Sequence, residues 1–185
     1  MFKVFLTYLI LIIFPTKGFS ELRIDITRGN TEPIPIALVK FETKNGTENK
    51  ISLDIKKVIS NNLQRSGLFT MLPKTVFLTQ TLNFDTKPSF SDWKITTAQG
   101  LIHGNLSVSG EKLNLKFRLW DVFSEKQMVA QQLTTETNNW RRIAHVISDI
   151  IYKRITGESG YFDSRIVYIS ESGPKNNRKK RLAIV

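Results

Sequence analysis

The chain has two histidines, His103 and His145, and these are the first residues to consider for proton transfer or metal binding near neutral pH. Neither stands in a pattern that does such chemistry. His145 and Asp149 are one helical turn apart and can pair on one helix face. A zinc site needs more ligands than that, so a solvated or interface-facing ion pair is the favoured reading. His103 lies between Ile102 and Gly104 in a strand-like run, where alternation turns it away from the apolar face and predicts a surface position. Cysteine is absent from the sequence, which excludes thiolate metal sites, disulfides and thiol nucleophiles. There is no metalloprotease helix motif, no Gly-x-Ser-x-Gly elbow and no phosphate loop. Gly157 and Gly160 are spaced to end a helix and begin a turn, and they precede no helix that could hold phosphate. The reading is a protein that is not an enzyme and has no catalytic residue, cofactor or metal.

One charged run remains, Lys175-Asn176-Asn177-Arg178-Lys179-Lys180-Arg181. Much of the net charge of +11 is concentrated there. No aromatic residue interrupts it for base stacking, and it falls in a hairpin loop, so it reads as a solvated turn with no nucleic-acid partner.

Function is therefore sought in the elements that present surfaces. Met1-Phe2-Lys3 precedes an uncharged run from Val4 to Phe14, and Gly18 and Ser20 stand at minus three and minus one before Glu21. This is the pattern of a secretory leader cleaved between Ser20 and Glu21, with an apolar run short of the roughly 20 residues that span a bilayer. No stable membrane insertion is expected after cleavage. Glu21, Leu22, Arg23, Ile24, Asp25, Ile26 and Thr27 alternate apolar and polar residues. Such a segment can pair with the chain's own sheet or add itself to a partner's, and the physics of strand edges favours the first.

Ile36 to Phe41 is a near-continuous apolar run that suits a central strand. Asn45-Gly46-Thr47 reads as a turn. Ile51, Ile55, Val58, Ile59 and Leu63 then form a helical stripe, ended by Ser66-Gly67, before a short strand at Leu68 to Leu72. Lys74 to Ser89 reads as loop with one helical turn, and Ser91-Asp92-Trp93 starts a short helix with Trp93 packed inward. Alternation at Ile102 to Val108, Leu113 to Leu119 and Val129 to Thr135 predicts a three-stranded meander. A second helix follows, capped by Asn138 or Asn139, with Ile143, Val146, Ile147, Ile150, Ile151 and Ile155 on one face and Gly157 as its stop. The fold class is α/β, a mixed β-sheet with two amphipathic helices on one face. Beyond Gly160, Ile166 to Ile169 and Arg181 to Val185 read as the arms of a further hairpin that ends unfinished.

These residues carry a resemblance. Pro35-Ile36-Ala37-Leu38-Val39-Lys40-Phe41, the run Val58 to Phe69, Trp140-Arg141-Arg142, Ile155-Thr156-Gly157 and above all Gly160-Tyr161-Phe162-Asp163-Ser164-Arg165-Ile166-Val167-Tyr168-Ile169 resemble the TolB family of the Tol-Pal envelope system. The resemblance implies a non-catalytic periplasmic protein with an N-terminal α/β domain and a six-bladed β-propeller. Its propeller binds Pal, and its mature N-terminal segment, here Glu21 to Thr27, binds TolA. That implication reverses the preference for an internal strand. The system supports outer-membrane integrity and invagination in cell division. The chain then divides into a leader (1–20), an extended partner-binding segment (21–32), the α/β domain (33–157), and a linker with an incomplete first propeller blade (158–185). With the propeller incomplete, Pal binding is not carried over, and a truncated product or the front of a longer protein is expected. A periplasmic ligand-binding or accessory α/β domain that has lost its propeller function is the alternative.

Overall fold

The computed structural model describes Leu22 and residues 32–184. Strand β1 (Ile34–Leu38) lies near the middle of a five-stranded mixed sheet of order β2-β1-β3-β4-β5. It is apolar throughout because both its faces are covered. Ile36 and Leu38 join one core, while Ala37 and the adjoining Val39 join another. β2 (Phe69–Met71) and β3 (Gly100–Ser109) flank it in parallel. β4 (Lys112–Asp121) and β5 (Lys126–Glu136) complete the antiparallel meander.

Helix α1 (Gly46–Arg65) runs between β1 and β2. Asn45, expected in a turn, is instead its N-cap, in extended conformation at φ −139° and ψ 172°. The Asn45 Oδ1 accepts from the Glu48 N–H at 2.9 Å, and Glu48 Oε2 accepts from the Asn45 N–H at 3.3 Å, a reciprocal capping box. An Asn with Glu three residues on is a helix start as readily as a turn. The Glu48 carboxylate also takes the N–H of Lys44 at 2.8 Å and that of Val108 in β3 at 2.9 Å, so it ties the helix to the sheet. Burial pushes its pKa up, but the hydrogen bonds from Val108, Lys44 and Asn45, with the charge of Lys44, outweigh this and leave the carboxyl below its ordinary value.

Helix α2 (Phe90–Ile95) is short, and α3 (Trp140–Thr156) is the last helix. The expected Asn cap of α3 is absent, because a tight helical turn at Thr137–Asn139 runs straight into the helix and already places Asn139 in a turned conformation. Gly157 stops α3 in the left-handed region at φ 81°, its N–H bonded to the Lys153 carbonyl at 2.9 Å. α1 and α3 lie on one face of the sheet. Ile55, Ile59, Leu63, Ile143, Ile147, Ile151 and Ile155 pack there against Leu106, Leu113, Leu115, Phe117 and Leu119.

The other face is also buried. The connection from β2 to β3 passes β1, which lies between them, and lays Phe77, Phe90, Trp93 and Ala98 over Ala37, Val39, Leu101, Trp120 and Val122. Trp93 is inward, as its neighbours predicted, and meets Phe77 edge-on at 5.2 Å. A separate two-stranded sheet, β6 (Val167–Ser172) with β7 (Lys179–Ile184), follows the linker. Val167 and Ile169 face the same side as Ile184 and Leu182, and all four are exposed. Glu171 in β6 holds Arg178 at 2.8 Å and its cross-strand partner Lys180 at 3.0 Å, so part of the basic run is paired within the hairpin.

Candidate functional site

Of the expected partner-binding segment, Glu21 and Arg23 to Thr27 lie outside the described residues, as do the proposed cleavage site at Ser20 and Glu21 and the leader before it. Leu22 is described, and it is docked. Its backbone N–H donates to Asp121 Oδ2 at 2.9 Å, and its half-buried side chain packs against the main core near Gly100. Asp121 ends β4 and is nearly fully buried. Its other oxygen, Oδ1, accepts from the N–H groups of Phe123 and Ser124, each at 3.0 Å. One carboxylate therefore closes the β4–β5 turn and holds the entering chain. The turn bonds follow the habit of Asp to bond backbone two residues on, a signal readable in Asp121-Val122-Phe123-Ser124. The bond to Leu22 spans 99 residues of sequence and has no local signal.

A second carboxylate holds the chain where it leaves. Asp149 accepts from the Phe162 N–H at 2.8 Å through Oδ1 and from the Asp163 N–H at 3.0 Å through Oδ2. Gly160 passes so close that a Cβ there would overlap the Asp149 side chain. Phe162 and Tyr161 stand edge-on to Tyr152, at 5.8 Å and 5.7 Å, and Arg142 reaches Asp163 at 3.3 Å. The linker is thereby folded back on α3.

The expected ion pair of His145 with Asp149 is not formed, because both Asp149 oxygens serve the linker. His145 Nδ1 instead lies 2.9 Å from Nδ2 of Asn62 in α1, which fits Asn62 as the donor. Asn62 also donates to Ser148 at 3.0 Å, and Ser148 donates to the Ala144 carbonyl at 2.8 Å. This relay joins the two long helices. Burial lowers the His145 pKa, against the opposing pull of Asp163 and Asp149.

The surface position expected for His103 is wrong, because the face it points to is a second core. His103 is 0% exposed. Trp120 Nε1 donates to its Nε2 at 3.0 Å, and the Trp120 and Phe84 rings lie beside it. Burial, with the charge of Arg118 and against that of Glu42, pushes its pKa down to about 4, so the imidazole is neutral. Arg118 is its cross-strand partner in β4 and stacks over Phe84 at 4.4 Å. Among the described residues, no group of three His, Cys, Asp or Glu side chains could hold a metal ion, and no helix is long and apolar enough to cross a membrane.

The class defined here is a layered α/β domain, two long helices on a mixed sheet with a covering loop behind, in which a buried carboxylate, Asp121, fastens the chain where it enters and a half-buried one, Asp149, where it leaves. The chain belongs to the TolB family: residues 22–128 match the TolB amino-terminal domain. It is 43% identical over 187 residues to the Tol-Pal system protein TolB of Pelagibacter ubique (strain HTCC1062), covering 96% of this chain and 42% of that protein. It is also 43% identical over 185 residues to the Tol-Pal system protein TolB of Paramagnetospirillum magneticum (strain ATCC 700264 / AMB-1), covering 100% of this chain and 41% of that one. The chain thus spans about two fifths of the length of these curated relatives. The crystal structure of TolB from Acinetobacter baumannii shares the fold, with a TM-score of 0.66 at 23% identity over 89% of this chain and 39% of that one.

Proposed function

We propose that this chain acts as a non-catalytic, periplasmic protein-interaction component of the Tol-Pal system, and that Glu21 to Thr27, freed by cleavage after Ser20, is the segment that TolA takes. The observation that carries the reading is the 43% identity to Tol-Pal TolB proteins along essentially the whole chain. Two further features support it. The match to the family's amino-terminal domain begins at residue 22, the second residue after the proposed cleavage point, and the Leu22 N–H is held by a hydrogen bond to Asp121. The alternation of Glu21 to Thr27 suits an added strand. Outer-membrane integrity and invagination during division are the processes this interaction would serve. Binding of Pal rests with a propeller, of which β6 and β7 are proposed as the opening hairpin, and is not assigned to residues 33–157.

Deleting Glu21 to Thr27 from the secreted chain, with the leader junction kept, tests this reading. TolA should no longer co-purify, while the domain still melts cooperatively, at a temperature lowered only by the loss of the Leu22 docking contact. A deletion variant that still retains TolA at wild-type level overturns the assignment.

A further inference from the structure

Strand β5 closes one side of the sheet, and its outer edge pairs with no other strand among the described residues. Beside it, between β5 and α3, runs an open groove of about 960 Å³ lined by Met128, Val129, Gln131, Ile150, Lys153 and Arg154 among others. Val129, Leu133 and Ile150 belong to the main core yet are only half-buried, because α3 covers the sheet no further than its last strand. Val129, Gln131, Leu133 and Thr135 share the helix face, being paired with Leu119, Phe117, Leu115 and Leu113.

The groove has a sign as well as a shape. Between Lys126 and Glu136, β5 carries no acidic side chain, and none lines the groove. Lys153 is exposed on the rim. Arg154 Nε donates to the Met128 carbonyl at 3.1 Å, so at that end the strand is already capped and the open edge begins at Val129. An unpaired edge above an apolar strip is what strand addition uses. The guest's main chain pairs with the open edge, and its alternate side chains fall onto the strip.

We propose that the β5 edge from Val129 to Thr135 receives an extended segment of a partner protein, with apolar side chains facing the groove and a carboxylate where it passes Lys153. The apolar residues would lie on Val129, Leu133 and Ile150 and complete the half-covered core. The site is distinct from Glu21–Thr27: there the chain supplies a strand, and here it accepts one.

The purified chain and two labelled peptides test this. Glu-Thr-Ile-Thr-Val-Thr-Ile-Thr-Glu places apolar side chains on one face with a carboxylate at either end, so it fits in both strand directions. Lys-Thr-Ile-Thr-Val-Thr-Ile-Thr-Lys has the opposite charge. Fluorescence anisotropy should show the acidic peptide binding and the basic one at least about fivefold weaker, and amide exchange should slow at residues 129–135. Lys153→Glu, a surface change that leaves the melting curve intact, should weaken the acidic peptide by about fivefold, within the range expected of an exposed charge pair. Ile150→Ala should weaken both peptides. The proposal fails if neither peptide binds, if the two bind equally, if Lys153→Glu has no effect, or if protection appears elsewhere. A concentration-dependent dimer that protects 129–135 without peptide would assign the edge to a second copy and likewise overturn it.

Discussion

If TolA takes Glu21 to Thr27 as proposed, replacing Asp121 with Asn should strengthen that binding. A strand added to another sheet donates its backbone N–H groups to that sheet, and the N–H of Leu22 is already given to Asp121 Oδ2 at 2.9 Å. The two uses compete. Because Oδ1 is held by the N–H groups of Phe123 and Ser124, an Asn at this position keeps its oxygen there and turns an NH₂ group toward Leu22. The anchoring bond is lost while the β4–β5 turn remains. A hydrogen bond to a charged acceptor is worth about 1.5–3 kcal/mol net, so about 2 kcal/mol of docking is removed. If that docking holds the segment closed, apparent TolA affinity rises by up to about thirtyfold, since binding no longer has to release Leu22. Calorimetric titration of the leader-free chain with purified TolA measures it. Unchanged or weaker affinity, with an unaltered melting temperature, refutes the competition. Asp149→Asn is the control, since it loosens the exit linker and should leave TolA affinity unchanged.

Two further outcomes concern the polar groups inside the fold. His103 has its pKa pushed down from 6.5 to about 4, so between these values the unfolded chain binds the proton and the folded one does not. Stability should therefore fall by about 3 kcal/mol as pH drops from 6.5 to 4, and His103→Gln, which can still accept from Trp120, should flatten that slope in urea titrations; an equal slope in the variant rejects the role given to His103. Glu48 has a folded pKa below its ordinary 4.5, so its contribution is complete above that value and is lost as pH falls through the folded pKa. Glu48→Gln should cost about 2 kcal/mol near pH 7 and progressively less in acid, because the backbone N–H groups of Val108, Lys44 and Asn45 lose a charged acceptor; a penalty that does not shrink in acid sinks that account.

The fold was legible where a residue's role depends on near neighbours. Alternation marked the meander, a three-to-four spacing marked the two long helices, and Gly157 marked the end of α3, because each of these follows from backbone geometry within a few residues. Composition alone removed thiol chemistry, and the order of short runs from Pro35 to Ile169 pointed to the TolB family. Asn45 was misread within that local range, since a turn and a capping box share the same first residues, and what distinguishes them is Glu48 reaching back.

The positions of the polar side chains were settled by tertiary contacts. Whether His103 met water or a core depended on where the chain from Lys74 to Gln99 would lie, and only packing placed Phe90 and Trp93 over that face. Asp149 looked like a partner for His145, but its carboxylate was claimed by backbone N–H groups thirteen and fourteen residues away. Asp121 was legible as a turn residue and illegible as the anchor of Leu22. Hydrogen bonds along a helix or a turn repeat with the period of the backbone and leave a pattern in sequence. A bond between groups far apart in the chain depends on how the whole sheet brings them together, and no local spacing records it.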